Sequence, residues 1–452
     1  MLLVAANLVK YLPHGLRIFS FFAVMAVKKQ NILLLGAGGR ECAIAWKLSK
    51  SPLCGNLFIA PGNAGTRFYG TGLDISVSDF QGIKQACLEH QIDILFPGPE
   101  DPLVAGIYDF VKNDPELQHI IVVGPSKAGA QLEGSKAFSK KFMQRHNIPT
   151  AQYREFTAEN FEEGKTYINT LTPPVVLKAD GLAAGKGVII AQSTEEAQAA
   201  LSSMIQDHQF GNAGDRVVIE EFLDGVELSV FALTDGEHYI LLPEAKDYKR
   251  VGEGDKGLNT GGMGAISPVP FADATFMEKV VSRIVAPTVA GLKAEGIVYH
   301  GFIFFGLIKV NNEPYVIEYN CRMGDPETEV VIPRLNNDLV ELILKMGEGR
   351  LNEVKAEHST DAAATVVLVS GGYPGSYVKG KVLTGQADVS GSILFHAGTA
   401  VKDGMVVTSG GRVMAVTSLA PTLKDALATS YANAARIGFE GRYFRKDIGW
   451  EF

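Results

Sequence analysis

The chain has 452 residues, 46% of them hydrophobic and 20% charged, and a formal net charge of -8. That length holds two to four domains of ordinary globular composition; the acidic excess argues against a general nucleic-acid binder, and no apolar run is long enough to span a bilayer. Four cysteines, Cys42, Cys54, Cys87 and Cys321, include no Cys-x-x-Cys pair, which argues against a zinc site and for reduced thiols in a cytoplasmic protein.

Residues 1–29 carry no acidic residue and include an apolar run over 18–27. Three readings compete: a signal peptide, an organellar transit segment, and an extension upstream of a start near Met25. We take the third. Ile32-Leu33-Leu34-Leu35 then predicts a buried strand that breaks at Gly36-Ala37-Gly38-Gly39-Arg40-Glu41 into a helix over 42–49. Further strands are expected over 57–60, 92–96 and 120–123, ending in Pro61-Gly62-Asn63-Ala64-Gly65, Gly98-Pro99-Glu100-Asp101 and Gly124-Pro125-Ser126. Strands alternating with helices imply a doubly wound parallel sheet with ligand loops at the strands' carboxyl ends. Gly36-x-Gly38 after a strand suggests a dinucleotide site, and hence a nucleotide-binding oxidoreductase. Glu41, however, stands where the fingerprint needs glycine, and its carboxylate would repel a pyrophosphate. The helix N-terminus can still hold another anion.

In the middle segment, strands are expected over 175–178, 188–190 and 217–221. Between the first two lies Asp180-Gly181-Leu182-Ala183-Ala184-Gly185-Lys186-Gly187. It is one residue short of a Walker A loop, and Gly187 replaces the required Ser or Thr. A glycine loop joining two strands can instead fold over phosphates as a lid, with Lys178 and Lys186 supplying point charges. The stretch from Glu220 and Glu221 through Leu223 to Glu227 offers backbone groups to an adenine edge and a carboxylate to ribose hydroxyls. Asp247, Lys249 and the glycine-dense run over 259–265 suit close backbone approach to a ligand. Two late strands over 302–310 and 315–321 run into Arg322-Met323-Gly324-Asp325-Pro326-Glu327. Alternation puts Glu318, Asn320 and Arg322 on one face, where hard oxygens beside a fixed cation suit Mg²⁺ on nucleotide phosphates. The last segment, rich in Val, Thr and Gly, predicts short strands and a helix over 423–437. His300 and His396 are taken as structural hydrogen-bonding groups.

In their order these motifs resemble the ATP-grasp superfamily and, within it, the phosphoribosylamine–glycine ligase family, over nearly all of residues 31–450. The pieces that carry the resemblance are Gly38-Gly39-Arg40-Glu41, Pro61-Gly62-Asn63-Ala64-Gly65-Thr66, Leu132-Glu133-Gly134-Ser135-Lys136, the 178–187 loop, the 259–265 loop and the 322–327 turn. Cys42, Met323 and Tyr248 depart from the family's usual residues. The resemblance implies an N-terminal substrate domain over 30–130, an ATP-grasp domain over 131–350 with a lid near 150–220, and a small β-rich domain over 355–452. It implies ATP as co-substrate, glycine and 5-phosphoribosylamine as substrates, a monomer, and no nucleic-acid or membrane partner.

The same resemblance implies roles. Arg322 would stabilise the transferred phosphoryl group, and Asp325 with Gly324 would address glycine or the amine. Lys136, Lys178, Gly185, Lys186 and Gly187 would hold phosphates. Glu220, Glu221, Leu223 and Glu227 would take adenine and ribose. Glu318 and Asn320 would bind Mg²⁺ or Mn²⁺; no acid on the preceding strand assists them. Gly38, Gly39, Arg40, Glu41, Gly62 and Asn63 would receive the phosphoribosyl group, with Asp247, Lys249, Pro326 and Glu327 completing the substrate site. A ligase for another carboxylate and a non-catalytic nucleotide sensor are the remaining alternatives.

Overall fold

The computed structural model describes residues 28–182 and 187–452. The expected extension as far as residue 27, and Gly185 and Lys186 of the glycine loop, lie outside the described residues. In the strand Gln30–Gly36, Leu33 and Leu35 enter one hydrophobic core while Ile32 and Leu34 enter another. A strand covered on both faces must be apolar throughout, which the run of leucines provides. It is the centre of a five-stranded parallel sheet in the order Thr71–Gly72, Cys54–Pro61, Gln30–Gly36, Ile94–Pro97, Ile121–Val122. The expected doubly wound sheet is therefore present. Its order reverses between Gln30–Gly36 and Ile94–Pro97, and a crevice opens at such a reversal.

Two antiparallel sheets follow. The first has the order Tyr153–Thr157, Arg216–Glu221, Val175–Ala179, Val188–Ala191. The helices Phe161–Ile168 and Thr194–Ile205 cover it, and its core is its own. Val175–Ala179 pairs antiparallel with Val188–Ala191, so the glycine loop joins neighbouring strands, as expected. The second sheet runs Tyr239–Leu241, Val226–Thr234, Tyr299–Val310, Glu313–Asn320. Its last two strands form a hairpin turned by Asn311 and Asn312, at φ 48° and 63°. Asparagine tolerates the left-handed region that such two-residue turns need.

A third sheet has the order Lys246–Asp247, Gly264–Ser267, Ala362–Val369, Arg412–Ala420, Ile393–His396. The helix Leu423–Arg436 packs on it. Its first two strands come from the middle of the chain, so the last segment completes a sheet begun some 100 residues earlier. That shared sheet carries residues of the C-terminal part to the turn after Asn320.

Candidate active site

Residues 222–225 alone connect Arg216–Glu221 of the first antiparallel sheet to Val226–Thr234 of the second. The two sheets form the walls of a cleft. On one wall Lys178 Nζ lies 3.0 Å from Glu220 Oε2 and donates to the Ile317 carbonyl of the opposite wall at 3.1 Å. Lys136 opens the helix Lys136–Arg145, which Ser135 caps, and its Nζ donates to the Gly181 carbonyl at 3.0 Å. Burial pulls its ammonium below the usual lysine range, against the pull of Glu318. Lys140 lies one turn later on the same helix, buried, with Nζ 2.7 Å from Thr150 Oγ1. It approaches Glu220 Oε1 at 3.1 Å as an ion pair rather than an aligned hydrogen bond. Burial lowers Lys140 to about 8. Two lysines thus share one carboxylate, and Lys136 adds a third cation. Three ammonium groups gathered in a cleft suit phosphate. Glu221 is used differently: its Oε1 accepts from the Gln152 backbone at 2.9 Å. Leu223 sits half-buried in the connection, and Gly187 accepts from the Ala179 amide at 2.8 Å.

Glu318 and Asn320 stand two residues apart on Glu313–Asn320, so they share a face. No hydrogen bond among the described residues engages either side chain. Gly306 lies opposite Glu318, and a Cβ there would sit 3.2 Å from Glu318 Cγ, so this glycine leaves the carboxylate its room. No cluster of three or more His, Cys, Asp or Glu that could hold a metal occurs among the described residues. A divalent ion on these two oxygen donors would complete its shell with phosphate oxygens and water, as Mg²⁺ commonly does.

The alternation expected to carry Arg322 onto the same face ends at Asn320. The Cys321 amide leaves the ladder and donates to Glu133 Oε2 at 2.8 Å. Arg322 is instead aimed by two acids from the N-terminal side, with Nε 3.1 Å from Glu100 and Nη2 2.7 Å from Glu133. Burial opposes its charge, but Glu133 and Glu100 outweigh that and hold it fully cationic. Glu133 in turn is pushed up by burial against the pull of Arg322.

At the crevice of the parallel sheet, Glu41 is buried. It accepts from the Gly38 amide at 2.6 Å and from Arg40 Nε at 2.6 Å. This is the backbone-capping half of a capping box, so the acid that spoils the dinucleotide fingerprint closes the first turn of its own helix. Arg40 reaches the Met323 carbonyl at 3.1 Å, and its amide approaches Asp325 Oδ2 at 3.4 Å. Gly39 faces the buried Glu329, leaving no space for a side chain. Asn63, buried after Gly62, donates to the Ala37 and His396 carbonyls at 2.9 and 2.7 Å and accepts from the Gly65 and Thr66 amides. It ties the loops after Gly36 and Pro61 to the C-terminal sheet. Gly324 accepts from Thr328 Oγ1, and Pro326 packs on Gly262. Glu327 is buried and accepts from Ser229 Oγ at 3.0 Å; burial and then Asp247 raise it to about 7. Lys249 bridges Asp247 and Glu227 at 2.8 Å each, which holds Glu227 below the usual carboxylate range.

The structure thus brings Lys136, Lys178, Glu220, Glu318 and Asn320 to one cleft. The turn 322–327 lies at the end of the same strand, against Arg40, Glu100 and Glu133. Glu100, Glu133, Lys140 and Arg412 were missed as members. Lys140 was legible as the i+4 partner of Lys136 on one helical face; the others come from remote segments. Cys42, Tyr248 and Met323 are all core side chains. Burial pushes the Cys42 thiol up to about 12. His396 pairs with Thr399 Oγ1 at 3.0 Å and is held neutral by burial, at about 4.

Three descriptions of phosphoribosylglycinamide synthetase match in order: the N domain over residues 30–133, the ATP-grasp (A) domain over 134–328 and the C domain over 363–451. The chain is 46% identical over 424 residues to the phosphoribosylamine–glycine ligase of Pasteurella multocida, covering 93% of this chain and 97% of that protein. It is 45% identical over 426 residues to that of Yersinia pestis, covering 93% and 98%. The crystal structure of the Thermotoga maritima phosphoribosylamine–glycine ligase superposes with TM-score 0.81 at 35% identity, covering 92% of this chain and 99% of that one. A biotin carboxylase from Campylobacter jejuni, at 16% identity and TM-score 0.70, shares the fold.

Proposed function

The chain belongs to the phosphoribosylglycinamide synthetase family, and on that premise we propose that it ligates glycine to 5-phosphoribosylamine with ATP. The products are glycinamide ribonucleotide, ADP and phosphate, a step of purine (IMP) biosynthesis. The observation that carries this reading is the pairing of unengaged Glu318 and Asn320 with Lys136 and Lys178 in one cleft, beside an arginine locked by Glu100 and Glu133.

The glycine carboxylate attacks the γ-phosphate, and the amine of phosphoribosylamine then displaces phosphate from the glycyl phosphate. No covalent enzyme intermediate is needed, so catalysis rests on positioning and charge. Lys136 and Lys178, with Lys186, hold phosphates. Glu220, Glu221, Leu223 and Glu227 line the adenosine end. Arg322 faces the transferred phosphoryl group, fixed in place before substrate arrives. Glu318 and Asn320 would hold Mg²⁺ or Mn²⁺, which when bound neutralises phosphate charge. Asp325, Gly324, Pro326, Glu327, Asp247 and Lys249 border the glycine and amine end. Gly38, Gly39, Arg40, Glu41, Gly62 and Asn63 shape the phosphoribosyl loops. The glycine-loop lid excludes water from the acyl phosphate. We place the protein in the cytoplasm as a monomer without nucleic-acid or membrane partners; among the described residues no helix is long and apolar enough to cross a membrane.

The test is ADP release with ATP and Mg²⁺, adding glycine and fresh phosphoribosylamine singly and together. Turnover that needs both, with glycinamide ribonucleotide formed, supports the reading. Turnover with a different carboxylate keeps ATP-grasp chemistry and discards glycine. ATP binding without any turnover would point to a nucleotide sensor.

A further inference from the structure

Arg412 belongs to the C-terminal sheet yet reaches the turn after Asn320. Its Nη1 alone makes three contacts: the Gly261 carbonyl at 2.7 Å, the Asp325 carbonyl at 2.7 Å and Asp325 Oδ1 at 3.0 Å. Nε and Nη2 have no acceptor among the described residues, and the side chain is 21% exposed. That pair of nitrogens is the planar edge with which arginine grips a carboxylate by two parallel hydrogen bonds. Three other arginines among the described residues use the same edge. Arg145 donates from Nε and Nη2 to both oxygens of Glu295, Arg350 does so to Glu353 and Arg445 to Asp447. On Arg412 the edge is free.

Gly261 packs on the face of the guanidinium, so closely that a Cβ would lie 2.8 Å from Cζ, 3.0 Å from Nη2 and 3.2 Å from Nε; a glycine there leaves the edge uncovered by a side chain. The nearby acids do not compete for the free edge. Asp325 is already engaged through Nη1. Glu327 is bonded to Ser229. Glu329 is buried against Gly39 with Oε2 unpartnered. Burial pushes both glutamates up, Glu327 to about 7, which lessens their claim on the cation.

We propose that the Nε–Nη2 edge of Arg412 receives the carboxylate of the amino-acid substrate, with the carboxylate of Asp325 on the side of its ammonium group. This rests on the ligase reading above and adds to it a substrate contact from the C-terminal sheet. A zwitterion with no side chain matches a site in which Gly261, Gly262 and Pro326 are packed without slack.

The test is steady-state kinetics of Arg412→Gln and Arg412→Lys beside the unaltered protein, with thermal melts of each. The expected result is a KM for glycine raised roughly 10- to 100-fold, as for loss of a charge-assisted bidentate contact. KM for ATP should stay within about twofold; loss of the Nη1 contacts lowers the melting temperature, so the constants are compared below the melting transition of each variant. Arg412→Lys keeps the charge but not the planar fork and should show the same split; it decides the matter if Arg412→Gln fails to fold. A fall in kcat with glycine KM unchanged would overturn the proposal and leave Arg412 as a brace for Asp325. Absence of glycine-dependent turnover in the unaltered protein would instead sink the ligase reading.

Discussion

Glu220 is held by two lysines and Glu41 by Arg40 and the Gly38 amide, whereas no hydrogen bond among the described residues reaches the carboxylate of Glu318. An oxygen donor left unengaged beside the lysines proposed to hold phosphate is available to a cation. Glu318→Ala should therefore lower kcat/KM for ATP by about 100-fold or more and raise the Mg²⁺ requirement. ATP turnover unchanged at all Mg²⁺ concentrations would remove Glu318 from the metal site. Glu327 makes a different prediction. Its folded-state value is raised from 4.5 to about 7, so between those pH values the folded protein binds more protons than the unfolded chain. Stability linked to this group is full at low pH and is lost as pH rises through about 7. Glu327→Gln should melt close to the unaltered protein at pH 5 and higher at pH 8, by on the order of 2 kcal/mol. Equal melting at both pH values would show that the carboxyl is not desolvated as described.

At the scale of elements, the hairpin Tyr299–Val310 and Glu313–Asn320 positions the proposed metal donors through its register. Gly306 pairs with Glu318, and the ladder shifts between Gly306 and Leu307. Gly306→Val would push a branched side chain against Glu318 Cγ. The expected outcome is a KM for Mg²⁺ raised roughly tenfold with the fold retained, because a β-branched residue suits a strand. An unchanged Mg²⁺ dependence in kinetic titration would count against this placement of the donors. Period-two alternation made Glu318 and Asn320 legible together, since it is a local property of one strand. It failed at Arg322 because Glu133 captures the Cys321 amide and ends the ladder. That acid lies 188 residues away in the chain, and local alternation does not register it. Glu41 shows the converse. The sequence argues against a dinucleotide loop there, but the use of its carboxylate as a cap appears only in three dimensions.

For the whole molecule, the third sheet makes the C-terminal part inseparable from the middle of the chain. Gly264–Ser267 pairs with Ala362–Val369 along its full length. A chain ending near residue 355 would expose that strand's edge and strip cover from the cores around Val330 and Tyr248. Such a truncation should aggregate rather than fold, whereas a monodisperse product in gel filtration would contradict this account. The first antiparallel sheet differs, since its core is self-contained and one four-residue connection leads out of it. An element with its own core can move as a unit over the phosphates.

By itself the sequence determined what depends on neighbours along the chain. The leucine run made a buried parallel strand, glycine-rich segments marked the loops after strands of the parallel sheet, and Glu318 with Asn320 shared a face, because side-chain alternation and turn chemistry act over a few residues. Tertiary structure alone decided which distant groups complete the site. Glu100 and Glu133 aim Arg322, Lys140 shares Glu220 with Lys178, Asn63 ties to the His396 carbonyl, and Arg412 crosses from the last sheet to Asp325. Buried charges need partners wherever the fold can supply them, and here the partners stand tens to hundreds of residues away, joined only when the sheets assemble.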